Sequence, residues 1–302
     1  MNILLIGPRE NNSTDGVIIK GIKYLLNRAY TDINITYEEL RDTVTQSSNH
    51  FYSVEPYDMV VVCGTPWLWD SFQNSVKFKN LLTCLNTHSN AKRLFMGIGS
   101  CLYLKDVKSD LLERPAEVAA LKEAYNTATV IVRDSLAHAK LTKAGISATL
   151  LPCPAYYCYG DEPETIIKTR NVLVFQDPTK SIAAGDWTDS EKLKIYYQNY
   201  LDFYQQYKPE VYCSLSHDIN AAVNIGLPVP KVLKTADQTL ALMRSAQNVL
   251  SGRVHNAVPA IVQGANTTLL PIDTRSYVVE DFKHVKDFKP YIAEYMRILQ
   301  NA

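Results

Sequence analysis

The sequence has no net charge and no cysteine framework. Lys and Arg together number 31, as do Asp and Glu, so the formal charge is zero. No global field therefore draws the chain to nucleic acid or to an anionic membrane, and a few local charges must hold any anionic ligand. The six cysteines form no C-x-x-C pair. This scatter excludes the disulfide scaffold of a small secreted domain and predicts reduced, buried thiols.

Long apolar runs and the common cofactor motifs are also missing. No stretch of about 18 consecutive apolar residues occurs, so no membrane span is predicted. The apolar run at residues 3–6 is too short for the core of a signal peptide, and we expect a cytoplasmic protein. G-x-G-x-x-G, H-E-x-x-H and D-x-D are absent, as is a P-loop lysine. We therefore predict no metal and no bound cofactor.

Short apolar runs alternate with helical patterns along the whole chain. Hydrophobic residues make up 46% of the sequence and charged residues 21%, as in a globular protein with a sizeable core. Such β/α units build parallel sheets covered by helices on both faces. The first half predicts strands at residues 2–6, 58–63, 93–98, 129–132 and 148–151. The second half predicts strands at residues 171–175, 210–215, 232–233, 248–251 and 267–272.

A polar, turn-rich segment between residues 158 and 170 separates the two sets of strands. We predict an α/β protein with two Rossmann-like β/α/β lobes facing a central cleft. The N-terminal lobe is placed at residues 1–160 and the C-terminal lobe at 168–280. Residues 281–302 are predicted to form a C-terminal helix that can pack back across the lobes. In such a fold, ligands bind at the carboxyl ends of the strands.

Arg253 and His255 follow the strand at residues 248–251, and a helix is predicted to begin near Asn256. Arginine offers a planar fork for a carboxylate or phosphate, and histidine can bind the same anion or exchange a proton near neutral pH. Together at a helix N-terminus they would make an anion-binding and acid/base device. The alternative is a solvated surface triplet.

Three further stretches follow predicted strands. Arg133 ends one strand beside Asp134 or Ser135, either of which suits a helix N-cap; Arg133 would reach a ligand or form an ion pair with a neighbouring carboxylate. The loop at residues 7–16 invites a phosphate or a sugar. Trp67 and Trp69 could line a sugar site or fill the lobe interface. His217 and Asp218 could form an acid/base or acceptor-binding pair, although adjacent residues usually point apart.

Read in order, these stretches resemble the polysaccharide pyruvyl transferase family, whose members have a two-lobed fold similar to that of GT-B glycosyltransferases. The family's G-x-x-N-x-G-D loop is similar to residues 7–16, with Asn11, Asn12 and Asp15. Its "vRD-x-x-S" stretch is similar to residues 132–146, and its "S-x-R-l-H-a" segment to residues 251–273. The family's Gly-Gly-Gly turn appears here as residues 63–66, and the first loop lacks the usual Gly before Asp15. Both departures fall in the lobe that would receive the acceptor.

The resemblance implies a transferase that moves a pyruvyl group from phosphoenolpyruvate to hydroxyls of a saccharide as a ketal. Implied catalytic residues are His255, Arg253 and Asp15. Implied donor-binding residues are Arg133, Arg253, His255, Ser251 and Asn256. Implied acceptor-binding residues are Asn12, Asp15, Trp67, His217 and Asp218.

Two alternatives remain open on the same scaffold. One is a GT-B glycosyltransferase that uses a nucleotide sugar on a hydroxyl acceptor, either a sugar or a hydroxylated base in DNA, because a fold does not determine its chemistry. Only this alternative would involve nucleic acid. The other is a non-catalytic carbohydrate-binding protein.

Overall fold

A computed structural model describes residues 1–10, 12–40, 55–69, 72–102, 104, 115–161, 167–181 and 184–302. Several predictions fall partly outside these residues. They concern Asn11 of the first loop, the part of the predicted domain boundary at residues 162–166, and the start of residues 109–125, whose amphipathic pattern predicts a helix.

The first sheet is built from strands of the first half of the chain. Its strands are β1 (Asn2–Gly7), β2 (Asn34–Glu39), β3 (Met59–Cys63), β4 (Pro66–Leu68), β5 (Lys92–Ser100), β6 (Thr129–Val132) and β7 (Thr149–Leu150). Their order is β2-β1-β3-β5-β6-β7, with β4 beside β5, and all pairs are parallel. The apolar, buried strands β1 and β3 run through its centre, as expected where helices cover both faces.

The second sheet is also parallel. Its strands are β8 (Arg170–Phe175), β9 (Glu210–Cys213), β10 (Lys231–Val232), β11 (Ala246–Ser251) and β12 (Asn266–Leu269). Their order is β10-β9-β8-β11-β12. Two parallel α/β sheets joined in one chain confirm the predicted fold class.

Helices cover both sheets. Within the described ranges they are α1 (Asp15–Ala29), α2 (Val76–Thr87), α3 (Pro115–Tyr125), α4 (Ser135–Lys143), α5 (Ser190–Tyr207), α6 (His217–Asn224), α7 (Ala236–Arg244), α8 (Val254–Val262), α9 (Tyr277–Glu280) and α10 (Lys289–Asn301). Their ends follow local chemistry. The Asp134 carboxylate caps α4 by accepting from Ala137 N, and Thr235 with Gln238 forms a capping box on α7.

One hydrophobic cluster runs through both lobes. It joins Leu5 of β1 and Ile22 of α1 to Leu240 of α7, Val258 of α8 and Tyr295 of α10. The C-terminal helix α10 lies on α1 of the first lobe, where Tyr295 Oη donates to Pro152 O at 2.7 Å. The two lobes therefore share a core, and the chain end fastens one to the other.

The ten predicted strands are all present, with ends shifted by a few residues. Three elements of the first lobe were not predicted: β2, β4 and α2. The edge strand β2 is only half-buried and carries Thr36, Tyr37 and two glutamates, so its apolar signal is weak. The helix α8 begins two residues earlier than predicted, which places His255 in its first turn.

Candidate functional site

The cleft between the lobes is formed by strand ends of both sheets. In the first sheet, β2 and β3 lie on opposite sides of β1; in the second, β9 and β11 lie on opposite sides of β8. Ligands of open α/β sheets bind where the strand order reverses in this way. A cavity of about 60 Å³ lies there, lined by the loops after β1 and β3 and by those after β8, β11 and β12. The two places where the strand order reverses therefore face each other and form one site between the lobes.

Arg253 lines the cavity and is held by a fully buried carboxylate. Its Nη2 donates to Asp218 Oδ2 at 2.9 Å, and Asp218 Oδ1 accepts from Asp177 N at 3.0 Å. The Arg253 Nε is buried and has no hydrogen-bond partner within the described part of the chain. Arginine has five N–H donors, so the pairing leaves donors that an anion in the cavity could use.

Arg275 is a second cavity cation that the sequence reasoning missed. Its guanidinium binds Asp273 in a fork, with Nε to Oδ1 at 2.8 Å and Nη2 to Oδ2 at 2.5 Å. Burial is the largest single influence and opposes its charge, but Asp273, Cys101 and Asp15 together act in the other direction and raise the pKa of Arg275. The sequence could have pointed to Arg275, because it follows the strand predicted at residues 267–272 by three residues. In such folds, site residues lie just after the carboxyl ends of strands.

His255 also lines the cavity, and it is neutral. Burial is the largest cause that lowers its pKa well below the ordinary value, followed by the positive charges of Arg133 and Arg275. Its Nε2 lies 3.2 Å from Arg133 Nη1. Because arginine can only donate, Nε2 must be the acceptor, and Nδ1 carries the proton. A neutral ring with an occupied Nε2 can donate a hydrogen bond to phosphate. Of the two roles predicted for His255, phosphate ligand or general acid, this arrangement suits the first.

Asp15 faces these cations from the first lobe. It opens α1, is half-buried and lines the cavity. Loss of solvent raises its pKa, while the positive charges of Lys77, Arg133, Arg275 and Arg253 act in the opposite direction. A carboxyl group with a raised pKa can hold a proton and deliver it, as a general acid must.

Arg133 does not reach the cavity, contrary to its predicted part in an anion clamp. Its side chain is 0% exposed and passes across Gly99, where a Cβ would meet Arg133 Nε. Among the described residues, Arg133 forms no ion pair within salt-bridge distance, and the Asp134 carboxylate accepts hydrogen bonds from Ser100 and Ala137. Arg133 instead lies behind His255.

Two other predicted donor ligands support the loop rather than line the cavity. Ser251 Oγ donates to Arg253 O at 2.9 Å and accepts from Arg253 N at 3.0 Å, which closes the turn before α8. Asn256 is fully buried, and its Oδ1 accepts from Ser214 Oγ at 3.3 Å. Neither side chain lines the cavity.

The predicted acceptor residues are dispersed. Trp67 is 1% exposed and packs on Trp69 and Phe78, so no ring face is left for a sugar. The Asn12 side chain is used in a local turn, where its Oδ1 accepts from Thr14 N and Oγ1 at 2.8 Å.

The predicted pair of His217 and Asp218 does form, with Nε2 and Oδ1 3.5 Å apart. Asp218, however, is committed to Arg253. Of the predicted acceptor residues, Asp15 alone lines the cavity.

Other site types find no support in the described residues. No group of three or more His, Cys, Asp or Glu side chains there could hold a metal ion, and no helix there is both long and apolar enough to span a bilayer. All six cysteines are free and buried. Burial raises the pKa of Cys101, beside Arg275, to about 12, so this thiol is not a nucleophile.

The fold and its cleft define the chain as a two-lobed α/β protein with a GT-B fold. Similar solved structures include UDP-GlcNAc 2-epimerase from Methanocaldococcus jannaschii, at 12% identity and TM-score 0.50 over 100% of this chain and 93% of that one. The enzyme of the same name from Neisseria meningitidis has 11% identity and TM-score 0.45 over 99% and 94%. The E. coli heptosyltransferase WaaC has 9% identity and TM-score 0.41 over 95% and 100%. At 12% identity, the likeness to the Methanocaldococcus jannaschii enzyme shows the fold alone.

The family model for polysaccharide pyruvyl transferase matches residues 15–274. Because the match covers most of the chain, the protein belongs to the polysaccharide pyruvyl transferase family. No curated protein sequence matches the chain significantly.

Proposed function

We propose that the protein transfers the pyruvyl group of phosphoenolpyruvate to two hydroxyls of a saccharide, forming a cyclic ketal and inorganic phosphate. The observation that supports this most is the composition of the small cavity between the lobes. Arg253, Arg275 and His255 approach it from the second lobe, and Asp15 faces them from the first.

The charges suit a small donor with two anionic groups. Phosphoenolpyruvate carries a phosphate and a carboxylate, and an arginine guanidinium binds either group through parallel N–H donors. The N-terminus of α8, which begins at Val254, adds backbone N–H groups that favour phosphate. With zero net charge on the chain, these local groups supply the attraction for the donor.

The size of the cavity favours phosphoenolpyruvate over a nucleotide sugar. Sites for larger ligands commonly enclose about 300–1,000 Å³. The cavity that these residues line encloses about 60 Å³. A nucleoside diphosphate and its sugar would need the lobes to separate, whereas a compact anion requires a much smaller change.

The protons of the proposed reaction balance between Asp15, the two acceptor hydroxyls and the departing phosphate. Asp15 gives a proton to the methylene carbon of the donor, and the first acceptor hydroxyl attacks the adjacent carbon. The second hydroxyl then attacks the same carbon, and the bond from this carbon to the phosphate oxygen breaks. Of the two hydroxyl protons, one returns to Asp15 and the other leaves on hydrogen phosphate. Arg253, Arg275 and the His255 Nδ1–H would stabilise the departing phosphate.

Donor binding tests this proposal without knowledge of the acceptor. We expect phosphoenolpyruvate to raise the melting temperature in proportion to its concentration, and calorimetric titration to give a Kd. Arg253→Lys keeps a charge beside Asp218 but loses the fork, and it should weaken phosphoenolpyruvate binding by about tenfold. Arg297→Lys is the matched control, because Arg297 is exposed and pairs with Glu294 of its own helix.

The rival functions give different results in the same experiment. Stabilisation by UDP-GlcNAc and not by phosphoenolpyruvate would replace the proposal with a glycosyltransferase. Stabilisation by neither donor, but by a saccharide, would indicate a non-catalytic binding protein. Once a donor is established, release of phosphate in the presence of candidate saccharides, followed by ³¹P NMR, identifies the acceptor.

A further inference from the structure

Arg133 is a buried cation close to the site but outside the cavity. Its side chain is 0% exposed, and its Nε and Nη2 have no hydrogen-bond partner among the described residues. Its Nη1 lies 3.2 Å from His255 Nε2, and the Cys153 thiol and the Asp134 carboxylate also lie near the guanidinium. A buried charge with unused donors costs stability, and of these contacts the one with His255 connects Arg133 to the cavity.

This contact determines whether His255 presents a hydrogen-bond donor or an acceptor to the cavity. A guanidinium has no acceptor, so the shared Nε2 carries the lone pair and Nδ1 carries the hydrogen. Within the described ranges, Nδ1 makes no hydrogen bond to the protein, and the ring lines the cavity. The Nδ1–H is therefore the group that an anion in the cavity would meet.

We propose that Arg133 is a positioning residue that acts on the donor site through His255, holding the imidazole in its Nδ1–H form across the lobe interface. The inference rests on the proposed function for the identity of the donor. Arg133 follows β6 in the first lobe and His255 lies in α8 of the second, so the contact also sets the distance between the two halves of the site.

Charged groups of both lobes surround the imidazole. Arg133 of the first lobe contacts it, and Asp15 of the first lobe and Arg253 and Arg275 of the second line the same cavity. Burial, followed by the charges of Arg133 and Arg275, lowers the pKa of His255. The neutral ring then presents one donor in a fixed direction, which suits a phosphate oxygen better than a ring that can rotate and exchange tautomers.

A double-mutant cycle in phosphoenolpyruvate affinity tests the inference on the full chain. Arg133→Met and His255→Ala should each weaken binding by about tenfold, and the double variant should bind no more weakly than His255→Ala alone. Losses that multiply in the double variant would overturn the proposal, because they would mean that Arg133 contacts the donor itself. Arg93→Met is the matched control: Arg93 donates to Leu85 O near the start of β5, and its loss should leave the affinity unchanged.

A second readout needs no donor. In the wild-type protein, ¹⁵N NMR should show His255 as the Nδ1–H tautomer, and Arg133→Met should populate the Nε2–H form. Arg133→Lys, which keeps a charge and a donor, should retain the wild-type tautomer and most of the affinity. An Nε2–H or doubly protonated His255 in the wild type would overturn the inference. If phosphoenolpyruvate does not bind at all, the proposed function fails, while the NMR result still decides the role of Arg133.

Discussion

Gly252 lies between β11 and α8, and its missing side chain leaves room for two tyrosine hydroxyls. A Cβ at this position would meet Tyr200 Oη and would lie 2.7 Å from Tyr196 Oη. The two hydroxyls hydrogen-bond each other at 3.0 Å, and Tyr196 Oη donates to Gln176 O at 3.3 Å. Gln176 and Gly252 both line the cavity, so the tyrosines on α5 support its wall from behind.

Gly252→Ala should therefore destabilise the protein by overpacking, by about 1–3 kcal/mol in the free energy of unfolding. Tyr200→Phe removes the nearest hydroxyl, so the alanine should cost less in that background. Urea denaturation of the wild type, the two single variants and the double variant measures the difference between the two costs of the alanine. An equal cost in both backgrounds would mean that the tyrosine hydroxyls do not restrict this position.

His255 makes stability depend on pH in a defined direction. Because its pKa is lowered on folding, the unfolded chain binds more protons once the pH falls below the ordinary value of about 6.5. Stability is therefore full above this pH and is lost as the pH falls toward the folded-state pKa.

His255→Gln should flatten this dependence by at most about 1.4 kcal/mol per pH unit below pH 6.5. Denaturation between pH 5 and 8 measures it, with the exposed His284→Gln as control. Asp15 and Asp134 have raised pKa values, so their contribution to stability falls as the pH rises above about 4. This contribution is the same in all variants and cancels in the comparison. Parallel curves for wild type and His255→Gln would show that the imidazole is not neutral.

Among the elements, α10 belongs to the second half of the chain but packs on the first lobe. Leu299 and Tyr295 are 0% exposed, and Tyr30 Oη of the first lobe donates to Leu299 O. Lys92 Nζ donates to Ala302 O at 2.6 Å at the end of the helix. These contacts make the helix part of the first lobe's core.

Leu299→Ala should cost about 2–5 kcal/mol in the free energy of unfolding, because it leaves a cavity in this shared core. Ile167→Ala is the control: Ile167 is 82% exposed, and its truncation should change stability by less than about 0.5 kcal/mol. A small loss at Leu299, comparable with that at Ile167, would mean that α10 is not needed for the fold.

The predicted elements share one property: each is buried because its own sequence is apolar. The strands β1, β3, β6 and β8 are short apolar runs, so their period and bounds can be seen in the sequence. The strand β4 has only three residues and exists because it lies beside β5. Its pairing depends on a distant partner, which no local pattern reveals.

For the molecule as a whole, the two lobes are not independent. Thr274 of the second half and Leu102 of the first exchange two hydrogen bonds, and Ser135 donates to the Asp281 carboxylate through both N and Oγ. Thr239 Oγ1 donates to Ser13 O on another side of the interface. With the shared hydrophobic cluster, these contacts couple the folding of the lobes.

We therefore expect a single thermal transition. Scanning calorimetry should give a ratio of calorimetric to van't Hoff enthalpy of about 1, and Leu299→Ala should lower the whole transition without splitting it. Two resolved transitions, of which only the first shifts in Leu299→Ala, would contradict a common core.

The order of apolar and helical patterns was enough to predict two parallel α/β lobes and a cleft at their strand ends, because periodicity and burial are local properties. It also drew attention to Arg253 and His255, since they lie where a strand ends and a helix begins, whereas Asp15 was implied by the family resemblance. Side-chain partners are decided across the lobes, and these only the folded chain shows. It places Arg133 behind His255, assigns Asp218 to Arg253, buries Trp67 and adds Arg275 to the cavity. Hydrogen-bond geometry and desolvation depend on residues far apart in the sequence, so a residue's role at this site follows from the side chain it meets in the folded structure.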